Sequence, residues 1–311
     1  MFGVPVSAQV RARTGLLAVS GGALLWGTTG VAVRIIQQRS GLAAVSVGFY
    51  RVLIAAAVIA LAFRARGVRS AVQTLRRHPV ALVVSGAGFG GYQALYFIGV
   101  HDVGVSISTL VSLGIAPVAL TLGTAVARRR FPGPGSVAVL VCAVVGLALV
   151  SLRTESGVHA PHPVTGVLAS VASGLGYAGI TALSARMSHE DPLVLTGVTS
   201  AIGAAVLLPF AIAAGMAVPH DAIANAWLGY IGVVPTVLAY WLFYRGLRST
   251  ASEVAGVLTL LEPLTAAVVA AIVVHEALSD TALVGAALML AAVGALYLRR
   301  PAPDVGEVPP P

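Results

Sequence analysis

Thr259-Leu260-Leu261-Glu262-Pro263-Leu264 places a carboxylate and a proline in the middle of a run that is apolar from Val254 to Val274. A run of that length can cross a bilayer as a helix. Within it, a carboxylate costs roughly 2.5–3.5 kcal/mol on insertion scales, and a proline removes one backbone hydrogen bond. Both costs fall if the segment lines a polar cavity inside a helix bundle, so we expect the rest of the chain to build such a cavity.

The composition identifies the class of protein. Charged residues make up 10% of the chain, apolar residues 58%, and the mean hydropathy is +0.93. A soluble domain carries about 25% charged residues. The sequence therefore predicts an all-α polytopic membrane protein.

The basic residues are all arginine, and this excludes several functions. Without lysine the chain has neither a Walker-type P-loop nor a Schiff-base lysine. The formal charge of +8 does not indicate nucleic acid, because the arginines lie in short gaps between apolar runs, where they set membrane orientation. Cys142 is the only cysteine and falls in an apolar run, so we expect an unreactive thiol that packs inside the bundle. His275-Glu276 lacks the second histidine of a zinc motif, and we expect no metal and no cofactor.

Apolar runs of spanning length recur along the chain. Residues 1–14 precede the first run and could be the start of a signal peptide, but the run continues to Ile36, so we expect a retained helix in the membrane. The proline-rich tail over 300–311 is expected to be disordered. We predict ten spans, at residues 15–36, 43–63, 80–100, 103–127, 136–152, 164–186, 193–214, 223–247, 250–274 and 280–298.

Arginine counts give an orientation. With the N-terminus in the cytoplasm, fifteen arginines fall in inside segments and three in outside segments, while Arg51 lies within the second span. Because positive residues accumulate on the cytoplasmic side, we expect both termini there and the protein in the cytoplasmic (plasma) membrane.

The chain also repeats itself. Four correspondences carry the repeat: Ala94–Gly99 with Trp241–Gly246, Pro117 with Pro263, Val145–Leu149 with Val293–Tyr297, and Gly15–Ala18 and Trp26 with Gly166–Ala169 and Tyr177 at one constant offset. The repeated unit is five helices, over 15–153 and 164–299. Because five is odd, the second copy enters the membrane from the opposite side, which predicts inverted repeats of the kind found in secondary transporters.

These features resemble the EamA branch of the drug/metabolite transporter superfamily. The resemblance covers residues 15–299 and departs from the family pattern at Arg130, where members often carry glutamate. It implies a carrier of metabolites or drugs in the cytoplasmic membrane, usually an exporter. The stretches that carry it are Leu24-Leu25-Trp26-Gly27, Arg51, Leu261-Glu262-Pro263-Leu264, His275-Glu276-Ala277-Leu278-Ser279 and Val284-Gly285-Ala286-Ala287.

Glu262 is the first candidate site residue. Ionisable residues inside a membrane are functional by default, so Glu262 could bind substrate or couple transport to protons. Alternatively it is a structural acid, hydrogen-bonded to Thr259 or Thr265 one turn away or paired with Arg51. The position matching Glu262 in the first half is Ala116, so the architecture itself does not require an acid.

Arg51 is the one arginine well inside a span. Its guanidinium could pair with a substrate carboxylate, or it could snorkel to the outer surface about two turns away. If it faces the cavity together with Glu262, the pair would suit a zwitterion such as an amino acid.

Aromatic and polar side chains near the centres and ends of spans are further candidates. Some are expected to line the cavity, and the alternative is an aromatic belt at the membrane interface. The substrate-binding candidates, besides Glu262 and Arg51, are Trp26, Tyr92, Gln93, Tyr96, Tyr177 and Tyr240.

Glycines and prolines inside spans predict hinges or helix breaks. Gly27 and Gly30 lie in the first span and Gly176 at the corresponding place in the sixth, while Pro117 and Pro263 match between the halves. The alternative for the glycines is close helix packing.

Taken together, the sequence predicts a secondary transporter, an exporter of small metabolites such as amino acids or drugs that works by alternating access, with Glu262 as the candidate for proton coupling. The alternative is a flippase for lipids or polyprenyl carriers, which shares this architecture. An intramembrane enzyme is disfavoured because no histidine lies inside a span to serve a nucleophile. Substrate, direction, coupling ion and oligomeric state stay open.

Overall fold

A computed structural model describes residues 6–151, 162–273 and 279–298. Over these residues the chain forms helices and no strand, which confirms an all-α polytopic membrane protein. Four sequence predictions lie wholly or partly outside the described residues: residues 1–5 of the N-terminal segment, the disordered tail over 300–311, the family stretch His275–Leu278, and the ends of the two repeats at 152–153 and 299.

The helices follow one another with short connections. Their bounds are α1 Val6–Gly27, α2 Thr29–Ser40, α3 Ala44–Arg66, α4 Arg69–Arg77, α5 Pro79–Arg128, α6 Pro134–Ser151, α7 Pro163–Arg186, α8 Pro192–Ala213, α9 Ala222–Gly232, α10 Ala239–Gly246, α11 Ser252–Leu258, α12 Leu261–Val273 and α13 Asp280–Leu298, with a π-helical segment Val233–Leu238 joining α9 to α10.

The number of spans depends on how α5 is divided. Nine stretches of the described chain are long and apolar enough to cross a membrane. One of them is α5, whose 50 residues would be about 75 Å long as a straight helix, more than twice the ~30 Å hydrocarbon core. Gly104 interrupts it with φ +83° and ψ 165°, a conformation essentially confined to glycine. Divided there, the described residues provide the ten expected spans.

The structure adds helix at two places outside the predicted spans. α1 begins at Val6, nine residues earlier than predicted. α4 occupies Arg69–Arg77, a segment that the sequence analysis treated as an arginine-rich connection. With three arginines in nine residues, α4 is too polar and too short to span, so a search for apolar runs does not detect it.

Proline explains the break between α11 and α12. Pro263 has no N–H for the Thr259 carbonyl, and its ring crowds that carbonyl. The Thr259 carbonyl instead accepts from the Glu262 N–H at 3.0 Å. The break therefore lies at Thr259-Leu260, and Pro263 occupies the first turn of α12, where proline is tolerated.

The other predicted breaks have different outcomes. The first span is interrupted at Thr28, between Gly27 and Gly30. The helix is continuous through Gly176 in α7 and through Pro117 in α5, so a hinge at either of these two residues stays a prediction.

Pro235, which the sequence analysis did not single out, lies in the π-helical segment. Its missing N–H would have served the Ile231 carbonyl, and the Thr236 hydroxyl donates to that oxygen instead at 2.7 Å. Such substitution by a hydroxyl is how membrane helices tolerate proline.

Glycines let the two halves of the chain pack closely. A Cβ placed on Gly246 would lie 2.9 Å from the Gly15 carbonyl oxygen, and one placed on Gly99 would lie 3.3 Å from the Gly166 carbonyl oxygen. Gly15 corresponds to Gly166 in the sequence repeat, and Gly99 corresponds to Gly246. The first half thus contacts the second through two glycine crossings at corresponding places.

Candidate functional site

An aromatic cluster lies where the two halves of the chain meet. Ring centroids are 4.8 Å apart for Trp26 and Tyr240, 5.1 Å for Phe89 and Tyr240, and 5.4 Å for Tyr92 and Tyr177. The Tyr92 and Tyr240 hydroxyls are hydrogen-bonded at 3.1 Å. Trp26 comes from α1, Phe89 and Tyr92 from α5, Tyr177 from α7 and Tyr240 from α10, so both halves contribute to the cluster.

Glu262 is the second residue of α12 and lies beside the helix break. Its carboxylate makes no hydrogen bond or ion pair with any residue that the structure describes. The two threonines that could have held it are otherwise engaged: Thr259 donates to the Gly256 carbonyl at 2.9 Å and Thr265 to the Leu261 carbonyl at 2.8 Å. Hydrogen bonds from these two neighbouring threonines therefore do not stabilise the Glu262 carboxylate.

The surroundings of Glu262 are aromatic and cationic. The carboxylate interacts electrostatically with the hydroxyls of Tyr96, Tyr177 and Tyr240. It also interacts electrostatically with the guanidinium of Arg51. The polar groups around this carboxylate therefore come from α3 and α5 in the first half of the chain and from α7 and α10 in the second half.

Arg51 on α3 is bonded to the interior of the bundle. Its guanidinium donates through Nη2 to Gln93 Oε1 on α5, and Gln93 Nε2 donates to the Phe89 carbonyl at 3.2 Å. A residue that snorkels would direct this group to the surface, whereas Gln93 is itself 5% exposed.

Two buried donors near this site have no acceptor. Trp26 Nε1 and Arg51 Nε each lack a hydrogen-bond partner among the described residues. Buried polar groups are paired in most native structures, and each exception asks for an explanation. A ligand that carries acceptor oxygens would supply the missing partners.

Tyr96 differs from the other aromatic candidates because its hydroxyl is hydrogen-bonded within α5. Its hydroxyl is hydrogen-bonded to Thr109 Oγ1 at 2.8 Å, which ties the two spans within α5 together across the Gly104 break. Tyr96 lies within electrostatic range of Glu262, but its hydroxyl already has a partner.

The candidate glycines differ in their surroundings. A Cβ on Gly27 would come within 2.6 Å of the Glu262 carbonyl oxygen, and one on Gly176 within 3.1 Å of Tyr92 Cβ. Both glycines therefore permit close packing at the site. A Cβ on Gly30 would meet no atom within 4 Å, so packing does not require glycine there.

The sequence analysis missed Phe89. It is 2% exposed and contacts both Tyr92 and Tyr240. A phenylalanine is an ordinary residue in an apolar span, so the sequence does not distinguish Phe89 as a site residue.

Comparison with known proteins gives the same architecture. The model of the EamA-like transporter family matches residues 13–152 and 164–298. The uncharacterized transporter YwfM of Bacillus subtilis (strain 168) is 29% identical over 273 residues, covering 86% of this chain and 88% of that protein. The uncharacterized inner membrane transporter YicL of Salmonella typhimurium (strain LT2) is 22% identical over 290 residues, covering 90% and 94%.

A solved crystal structure shares the fold. It superposes with a TM-score of 0.76 at 21% identity and covers 93% of this chain and 96% of its own. At that identity the likeness concerns the fold alone. The two family matches together span nearly all of the described residues, one in each half. This chain belongs to the EamA-like transporter family and is a multi-pass membrane transporter.

Proposed function

We propose that the protein is a secondary transporter that exports small zwitterionic metabolites, such as amino acids, or drugs across the cytoplasmic membrane, with protons coupled at Glu262. The observation that carries the proposal is the Glu262 carboxylate, which has no partner among the described residues and lies at the meeting of the two halves. A carboxylate without a partner is free to exchange a proton or a cationic group.

The substrate class follows from the charges around the site. Glu262 would accept a substrate ammonium group, and the unpartnered Arg51 Nε would donate to a substrate carboxylate. Trp26 Nε1 offers a further donor. The rings would receive an apolar side chain, and they would also attract a cationic drug.

The mechanism would be alternating access. The repeat in the sequence and the two glycine crossings at corresponding places support two inverted halves that rock against each other around the site. The excess of arginine on one side, fifteen against three, supports cytoplasmic termini. The export direction rests on the family resemblance.

One surface feature favours the flippase alternative. An apolar groove of about 390 Å³ opens between α2, α9 and α12, close to the Thr28 break. A lipid or polyprenyl tail needs a lateral opening of this kind. The groove is lined by Thr28, Val31, Ala32, Ala226, Trp227, Tyr230, Val269 and Val273.

The deciding experiment uses purified protein in liposomes loaded at a defined pH. Substrate-dependent proton movement is recorded across a panel of amino acids and cationic drugs, and movement of fluorescent lipid is recorded in parallel. Proton movement with one class of solute supports the exporter and identifies its cargo. Lipid movement without a solute response favours the flippase instead.

A further inference from the structure

A second group of polar residues lies far from the aromatic cluster, at the connections between spans. His78 separates α4 from α5, and His189-Glu190 lies between α7 and α8. The ligand atoms of these three side chains all lie within 4.8 Å of one another. Because His78 belongs to the first half and the other two to the second, the group bridges the halves at the arginine-rich end of the bundle.

Two of the three separations match those of a tetrahedral metal site. Glu190 Oε1 lies 3.3 Å from His78 Nε2 and 3.5 Å from His189 Nε2. Ligand atoms bound to tetrahedral zinc at about 2.0–2.1 Å lie roughly 3.4 Å from each other. Two histidines and one glutamate are also a ligand set that zinc takes, with water in the fourth position.

The carboxylate of Glu190 is buried, and only one of its two oxygens accepts a hydrogen bond. The residue is 7% exposed, and its Oε1 atom has no hydrogen-bond partner among the described residues. Both histidines converge on this atom. A buried carboxylate oxygen that accepts no hydrogen bond calls for an explanation, and a bound cation between it and the two histidines would supply one.

The surroundings would support a metal-bound carboxylate. Thr74 donates to the other oxygen, Oε2, at 2.6 Å, as outer partners of ligating carboxylates do. Arg248 fixes the backbone by donating to the Ser188 carbonyl at 2.8 Å and the Glu190 carbonyl at 2.7 Å.

One neighbouring charge competes with a metal. Arg77 Nη1 lies 3.9 Å from Glu190 Oε1. Its side chain is 58% exposed, so it can turn to solvent at little cost when a cation arrives.

We propose that His78, His189 and Glu190 bind one Zn²⁺ ion that joins the two halves at the arginine-rich end. The ion would hold the connection before α5 against the connection before α8. If the halves rock as proposed above, bound zinc would slow transport. That consequence rests on the proposed function, whereas zinc binding itself does not.

The test is a calorimetric titration of ZnCl₂ into full-length protein, purified on a tag that contains no histidine and stripped with a chelator. We expect one equivalent per chain. His78→Ala and His189→Ala should each weaken binding at least about tenfold, and Thr74→Val about 10- to 100-fold as the loss of an outer partner. His101→Ala is the matched control, since His101 pairs with Asp102 elsewhere, and it should bind as the wild type does.

Thermal unfolding of each variant without metal checks that it folds. Zinc should raise the midpoint of the wild type and of His101→Ala but not of the double variant His78→Ala/His189→Ala. The proposal is overturned if the wild type binds no zinc, or if the double variant binds it equally well. It is also overturned if the histidine variants change stability and zinc changes nothing, because the cluster is then only a set of charge contacts around Glu190.

Discussion

The Arg51 guanidinium donates its hydrogen bond to Gln93 and not to Glu262. The two charged residues within the membrane thus stay apart, although each lies in the field of the other. A direct ion pair would neutralise both and would leave neither free for a substrate. Gln93 therefore holds the cation while Glu262 keeps its carboxylate available.

The first prediction concerns Glu262→Gln. The substitution keeps the size of the side chain and removes its charge, and it breaks no hydrogen bond with the described residues, so the protein should fold. Substrate-dependent proton movement in liposomes should fall at least about tenfold, since an intramembrane coupling carboxylate has no substitute.

The control for this variant is Glu253→Gln. Glu253 lies at the start of α11, 3.3 Å from Thr124 Oγ1 and 3.8 Å from Arg128 Nη1, away from the aromatic cluster. It should retain proton movement. Equal proton movement in Glu262→Gln and wild type would make Glu262 a structural acid.

The second prediction concerns Gln93→Leu. The change removes the acceptor of the Arg51 guanidinium from a buried position, and hydrogen bonds to charged groups contribute about 1.5–3 kcal/mol. The free energy of unfolding, measured by denaturation in mixed micelles, should fall by that amount. Gln73→Leu, at an exposed position of α4, should change it by no more than about 0.5 kcal/mol. Matching losses in the two variants would contradict the role assigned to Gln93.

The third prediction compares two glycines of α7. A Cβ on Gly174 would lie 2.4 Å from the Ser112 carbonyl oxygen, whereas one on Gly179 would meet no atom within 4 Å. Gly174→Ala should destabilise the protein by about 1–3 kcal/mol through overpacking. Gly179→Ala should stabilise it by about 0.5–1 kcal/mol, because alanine favours the helix. Thermal unfolding of both variants tests this pair, and a shift in the same direction for both would show that α7 does not approach α5 this closely.

The fourth prediction concerns the turn within α5. Gly104 has φ +83°, and any side chain there carries strain of about 1–3 kcal/mol. Gly104→Ala should therefore lower the unfolding midpoint. Gly91→Ala is the control on the same helix, since a Cβ there meets no atom within 4 Å. An unchanged midpoint in Gly104→Ala would mean that the chain turns differently between the third and fourth spans.

Much of the fold could be predicted from local chemistry. Each span is an apolar run of membrane-crossing length, and that property needs no knowledge of neighbouring helices. The break before Pro263 is equally local, because the missing N–H acts on the carbonyl four residues earlier. At Pro117 the helix continues in spite of the missing N–H.

Site residues were predictable only where the chemistry is unusual for its surroundings. Glu262 and Arg51 are conspicuous as charges in apolar runs. Phe89 and His78 do not stand out in this way, because each is an ordinary residue for its local sequence. Their importance appears only from contacts with residues more than a hundred positions away.

The sequence by itself determined that this chain spans a membrane many times and carries a carboxylate and a guanidinium within it. Tertiary structure alone decided that the Arg51 guanidinium binds Gln93, that Glu262 has no partner among the described residues, and that His78 contacts Glu190. The physical reason is that spanning depends on the free energy of transfer of each segment separately. Pairing between spans depends instead on which helices pack together, and here glycine crossings between distant helices determine that packing.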